Sequence, residues 1–140
     1  MPQRTIVELS EDECYALLGD QGVGRLIFVD DLGPAGLPVN YAIDGKNVVF
    51  RREGTHEHVL HQKVAFQVDQ IDPSSRAGWS VLLRGTVQEV DIEVAAEMLH
   101  RLSRHFPAPW ATGVHNQWVV FVPEVVTGRR LTDAVFTPLY

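Results

Sequence analysis

Polar and apolar positions alternate with a period of two over much of this chain, and with a period near 3.6 over two shorter stretches. The two periods divide it into strands and helices. Val64, Phe66 and Val68 alternate with Ala65, Gln67 and Asp69, the pattern of a half-buried strand. The run GWSVLLRGTVQEV, residues 78–90, predicts a long strand with Trp79, Val81 and Leu83 on one face and a bend or bulge at Gly85. VGRLIFV, residues 23–29, is apolar on both faces after Arg25, as a strand covered on both sides would be. Two apolar runs flank Asp44-Gly45, a dipeptide suited to the positive φ angles of a tight hairpin. The first run contains Pro38, which cannot donate to a ladder, so that strand lies at an edge or begins there. Residues 118–122 predict a further strand, and 125–131 a short last one. The stretches 30–36 and 72–78 are rich in Gly, Pro, Ser and Asp and predict loops, with a single helical turn over 59–62.

The helical period covers the remainder. Ser10 and Glu13 have the spacing of a capping box, in which each side chain satisfies the other's backbone N–H. Leu9 and Cys14 stand where a hydrophobic staple sits. Cys14, Leu17 and Leu18 form one stripe, and Gly19 is the stop. A longer helix starts at Asp91 as its cap and carries the stripe Ile92, Ala95, Ala96, Leu99, Leu102 and Phe106. The sum is a mainly β, α+β protein: six strands, mostly joined as hairpins, in an antiparallel barrel with flanking helices.

Composition narrows this picture. With 140 residues and 45% apolar content the chain, residues 1–140, fits one domain with one core. Its net charge of -6 argues against nucleic acid or anionic lipid as a general partner, so an anion site must be made locally. One cysteine allows no internal disulfide, the start turns acidic before any leader-like apolar stretch, and no run approaches the roughly 20 residues that span a bilayer. A cytoplasmic protein is expected.

The candidate chemistry gathers between residues 37 and 60, LPVNYAIDGKNVVFRREGTHEHVL. The second strand of the hairpin ends at Arg51-Arg52 and leads into a Gly-Thr-His loop, so guanidinium groups, a Thr hydroxyl and loop amides arrive together. Those are the donors a phosphate accepts from. Adjacent strand residues point to opposite faces, so at most one arginine faces a ligand easily. His56, His58 and His61 invite a metal reading, but His56 and His61 would lie about 140° apart on a helix. His58 and His61 alone, with no carboxylate or Cys partner, make a weak site, so no metal is expected. Trp79 and Trp118 read as packing aromatics, while Trp110 reads equally as a lid or as packing on the long helix. Cys14, on a helix stripe, reads as an inert packed thiol. No nucleophile-base arrangement is visible.

The order of these pieces, GVGRLIFV, LPVNYAIDGKNVVFR, EGTHEH, VAFQVDQI, GWSVLLRGTVQEV and VVFVPEVVTGRRL, resembles the pyridoxamine 5'-phosphate oxidase-like split-barrel family, which includes nitroimidazole-resistance-type reductases. The resemblance runs over most of residues 10–131. It implies a homodimer with FMN, or in some branches a deazaflavin, at the subunit interface. Carried over by position, Pro38, Val39, Asn40 and Tyr41 would lie along the flavin ring, and Phe50 and Arg51 would border its phosphate. Thr55 and His56 would replace the usual phosphate clamp, and Trp79 and Ser80 would lie on the strand that closes over the cofactor. His56 stands where the family usually has Lys, and imidazole is only partly charged near neutral pH, so this clamp is weaker.

The resemblance therefore implies an FMN-dependent oxidoreductase acting on a small organic substrate, with the hydride chemistry residing in the cofactor. A deazaflavin carries a polyglutamate tail, and this acidic chain offers it little, which favours FMN. The reading from a different class is a non-catalytic barrel that sequesters flavin or binds haem through His56, His58 or His61.

Overall fold

The computed structural model describes residues 4–52, 59–102 and 117–133. The elements run β1 (Arg4–Leu9), α1 (Glu11–Leu18), β2 (Gln21–Asp30), β3 (Gly33–Asp44), β4 (Asn47–Arg52), β5 (Lys63–Asp72), β6 (Ala77–Glu89), α2 (Ile92–Arg101) and β7 (Gln117–Asp133). The sheet order is β1-β7-β4-β3-β2-β5-β6, every strand pair is antiparallel, and β6 returns to pair with β7. Six strands thus form the ring of a split barrel, as the residue pattern predicts. β1 is a seventh strand, hung on the outer half of β7, that the short N-terminal run does not announce.

One side chain in two from each ring strand fills the interior. Leu26 and Phe28 of β2, Tyr41 of β3, Val48 and Phe50 of β4, Phe66 of β5, Val81 and Leu83 of β6, and Val119 and Phe121 of β7 form one buried cluster. Phe66 is at its centre, edge-on to Tyr41 with ring centroids 5.3 Å apart and stacked beside Phe50 at 6.4 Å. It presses so closely on Gly24 that a Cβ there would sit 2.3 Å from its ring. Helix α1 plugs one end through Cys14 and Leu18, both buried. The expected capping box is present, Ser10 Oγ accepting from Glu13 N at 3.2 Å and Glu13 Oε1 from Ser10 N at 2.9 Å. Gly19 ends the helix at φ 67, where an L side chain is strained.

A smaller cluster lies outside the barrel, where Met98 and Leu102 from α2 cover Ala42, Val49 and Trp118. Met98 was absent from the expected stripe, and Ala96 of that stripe is exposed. Asp91 precedes α2 but its side chain makes no capping hydrogen bond, contrary to the expectation. Phe106 lies outside the described residues.

Four further expectations change. Residues 30–36 are not a loop: β2 and β3 run on to pair Asp30 with Gly33 across a two-residue turn. Asp30 Oδ1 accepts from Leu32 N at 2.9 Å there, and Gly33 takes φ 115. Residues 118–122 and 125–131 are one strand, because the bulge between Arg84 and Gly85 lets β6 stay paired past Pro123. A Cβ on Gly85 would meet Val122 O at 2.0 Å, which is why that position needs glycine. In addition, β2 is covered on one face only: Val23 and Val29 on the other are 62% and 63% exposed. The strand of Pro38 neither lies at the sheet's edge nor begins there, contrary to the expectation: β3 starts at Gly33 and runs between β4 and β2, and Pro38 is tolerated because it pairs with Arg25 on its β2 side while β3 and β4 pair only over residues 41–44 and 47–50.

Candidate functional site

Alternation along the strands sorts the predicted site residues into two groups. Tyr41, Phe50, Val39 and Trp79 point inward or pack on the interior cluster. Tyr41 is 2% exposed, and its hydroxyl donates to Leu18 O at 2.7 Å, tying β3 to the end of α1. Burial pushes its phenol up to about 12. These four shape the wall from within. Pro38, Asn40, Arg51 and Ser80 belong to the opposite set and stand on the outer face. Thr55, His56, His58 and Trp110 lie outside the described residues, and His61 is exposed on a turn with φ 63.

Register fixes where the outer group sits. Tyr41 pairs with Phe50 at the open end of the β3–β4 ladder, Asn40 and Arg51 are the next residues beyond that pair, and Arg51 pairs with Trp118 of β7. Arg51 stands on the outer face, that of Val49. Ser80 stands three strands from Asn40, beyond β2 and β5, about 14 Å away around the sheet at the usual strand spacing. Its hydroxyl accepts from Gln67 Nε2 at 3.3 Å.

The hairpin that carries Asn40 and Arg51 is held at its turn from two sides. Tyr15 of α1 donates to Lys46 O at 2.6 Å, and Lys46 Nζ lies 3.3 Å from Glu11 Oε1. From α2, Arg101 grips both Asp44 oxygens, at 3.3 and 2.8 Å. That grip keeps the guanidinium pKa above its ordinary value.

Between the two outer sets the sheet is bare among the described residues. It presents Val23, Arg25 and Ile27 on β2, Gln67 on β5, and Leu82 and Arg84 on β6. The stem of Arg25 crosses Gly36, where a Cβ would meet Arg25 Cδ at 3.1 Å. A groove of about 430 Å³ opens over β6, β7 and β1, lined by Ser80, Leu82, Arg84, Thr127, Arg129 and Glu8 among others. Of these only Ser80 was singled out from the sequence. The others were legible only as members of alternating strands.

Residues 10–130 match the family model described as pyridoxamine 5'-phosphate oxidase. The chain belongs to the pyridoxamine 5'-phosphate oxidase family. Within reach of the whole chain is an uncharacterised protein of Mycobacterium tuberculosis, 32% identical over 96% of this chain and 91% of that protein. Among solved structures, an FAD-binding protein from Mycobacterium smegmatis is 28% identical with a TM-score of 0.65, covering 90% of this chain and 98% of that one. A putative 5-nitroimidazole antibiotic resistance protein from Bacteroides thetaiotaomicron superposes with a TM-score of 0.74 at 15% identity, over 94% and 91% of the two chains, which shows the shared fold. The family's barrel is therefore the frame in which the outer face of this chain is to be understood. No helix among the described residues is long and apolar enough to cross a membrane, and no group of three His, Cys, Asp or Glu among them could hold a metal ion.

Proposed function

We infer that this member of the family is a flavin-dependent oxidoreductase that works as a homodimer, with the flavin held between the outer faces of two copies. The observation that carries this reading is the placement of Pro38, Asn40 and Arg51 at one side of a bare sheet face and Ser80 at the other. About 14 Å around one barrel is too far for a single ring system to meet both sets closely. Stacking two such faces about a two-fold axis brings one protomer's Ser80 toward its partner's hairpin and covers the exposed valines in the same step. The Mycobacterium smegmatis relative, described as FAD-binding, supports a flavin.

In this arrangement Arg51 offers a charge-assisted donor pair to a phosphate, with Thr55 and His56 proposed from the sequence as its companions. Asn40 and the free hydroxyl proton of Ser80 orient the polar edge of the ring. Val39, Tyr41, Phe50 and Trp79 keep the wall behind them rigid. The bound flavin supplies the hydride chemistry toward a small organic substrate, and the protein supplies position and dryness. The nucleotide form is FMN in the simplest case, and mass measurement of the extracted chromophore separates it from FAD.

The test is direct. Purified protein should show oxidised-flavin absorption and sediment as a dimer, and Arg51→Ala should weaken flavin binding by about 1 to 3 kcal/mol. A monomer that binds flavin with full affinity would refute the shared site; an intense Soret band without flavin absorption would replace the cofactor by haem.

A further inference from the structure

Strand β1 has a single neighbour. Every other strand of the sheet pairs on two sides, because β6 returns to β7 and closes the ring, while β1 pairs with β7 alone and leaves its second edge open among the described residues. An open edge offers a row of backbone donors and acceptors to any extended chain, and folded proteins guard such edges with proline, lysine or a bulge. Where β3 runs past its ladder with β4, Pro34 and Pro38 give that protection. β1 has none of it: Arg4–Leu9 contains no proline and no lysine, and its register with β7 runs without a shift.

Its side chains are bare as well. Ile6 is 61% exposed and Val7 46%, and as strand neighbours they point to opposite faces, so β1 is apolar and uncovered on both. Thr5 and Glu8 are exposed too.

The strand is complementary to itself in one register. An antiparallel copy laid against the open edge, with the two-fold axis through Ile6, sets Ile6 on Ile6 and Thr5 against Val7, pairs of β-branched residues that suit a ladder. It also sets position 4, an arginine in the sequence, opposite Glu8, which Arg129 of its own β7 flanks on the other side. An axis between Ile6 and Val7 would instead bring Thr5 to Glu8, and an axis through Val7 would bring Ile6 to Glu8. Either shift loses the charge match.

We propose that the open edge of β1 is an interface between two copies of this chain, which pair strand to strand about Ile6 and join their sheets into one. The contact does not depend on the flavin reading. Six residues a side is small beside the roughly 20 to 30 of a standard interface, so it forms as protein concentration rises. Together with the face-to-face dimer proposed above, it makes a dimer of dimers.

Disulfide trapping in the full chain reads the register. Directly opposite residues of an antiparallel ladder have Cα atoms about 4.5 to 5.5 Å apart, within the span of a disulfide. The two copies of residue 8 would lie about 14 Å apart, beyond it. Cys14 is buried, so wild type should stay unlinked. Under mild oxidation Ile6→Cys should link about tenfold faster than Glu8→Cys, and the linked protein should sediment at twice the mass of dilute wild type. Concentrated wild type should show the same doubled species, and Ile6→Lys, which sets two ammonium groups on the axis, should abolish it with an unaltered thermal melt. Equal linking rates for the two cysteine variants, or linked Ile6→Cys that keeps the mass of dilute wild type, would overturn the edge contact. Dilute wild type at the mass of one chain, with Ile6→Cys linked at twice that mass, would remove the face-to-face dimer and leave the edge standing.

Discussion

The barrel has two outer faces built from the same ring of strands, and they differ in kind. Under α2 the face is apolar and closed: Ala42, Val49 and Trp118 meet Met98 and Leu102, all 5% exposed or less. Around the ring, over β2, β5 and β6, apolar Val23, Ile27 and Leu82 alternate with Arg25, Gln67 and Arg84, and no described element packs on them. A helix that completes a core asks only for volume and apolarity. A face that keeps cations and amides among its valines is poorly suited to an internal cover and well suited to a ligand or a second copy.

Removing volume beneath the cover should have the largest effect. Met98→Ala empties a position 2% exposed and should cost about 2 to 5 kcal/mol in chemical denaturation. A cost near zero would mean that α2 does not seal its face. The plug of the interior, shared by both faces, comes next. Tyr41→Phe removes the buried bond to Leu18 O and should cost about 1 to 2 kcal/mol. It also tests a pH dependence. The Tyr41 phenol is held up at about 12 in the fold from 10.0 unfolded, so its contribution is whole below pH 10 and declines as pH rises toward 12. Denaturation midpoints should therefore fall over that interval, less steeply in Tyr41→Phe, the remainder coming from Tyr15 and Cys14, which burial also raises.

Ser10→Ala takes away the N-cap of α1 and should cost about 1 kcal/mol. Smallest of all should be Val23→Asp on the bare face, within about 0.5 kcal/mol of wild type for the isolated protomer. In the proposed homodimer its effect should appear instead in sedimentation, as dissociation on dilution. If Val23→Asp destabilised the fold as much as Met98→Ala, the two faces would not differ as described.

Much of this was legible in the residues, and the failures have physical causes. Period-two alternation disclosed the inner face of each strand, since burying one face leaves that signature whatever lies outside. The same signal could not tell a covered outer face from a bare one. VGRLIFV reads as doubly buried because its outer residues Val23, Ile27 and Val29 are apolar, although Val23 and Val29 stand exposed and Ile27 half-buried. The loop expected at 30–36 failed because Gly33 and Pro34 look like breakers, although there they only make a tight turn and an edge. Pro123 likewise disguised one strand as two, since its lost donor is absorbed at a bulge. For the candidate site, Ser80 and Arg51 were singled out by position in the family pattern. Arg84, Arg129 and Glu8 were missed because their meeting depends on the register of β1, β6 and β7, which no local signal encodes.

The strand β7 has one further consequence. It pairs with β1, β4 and β6, joining residue 4 to residue 133 and residue 48 to residue 121. During synthesis, then, the ring cannot shut until its final strand has cleared the ribosome, and Phe66 waits in an open sheet for Phe121 to arrive. Closure that late and that distant in sequence belongs to slow folding, and it leaves the nascent barrel in need of shelter from its neighbours until the last staple is in.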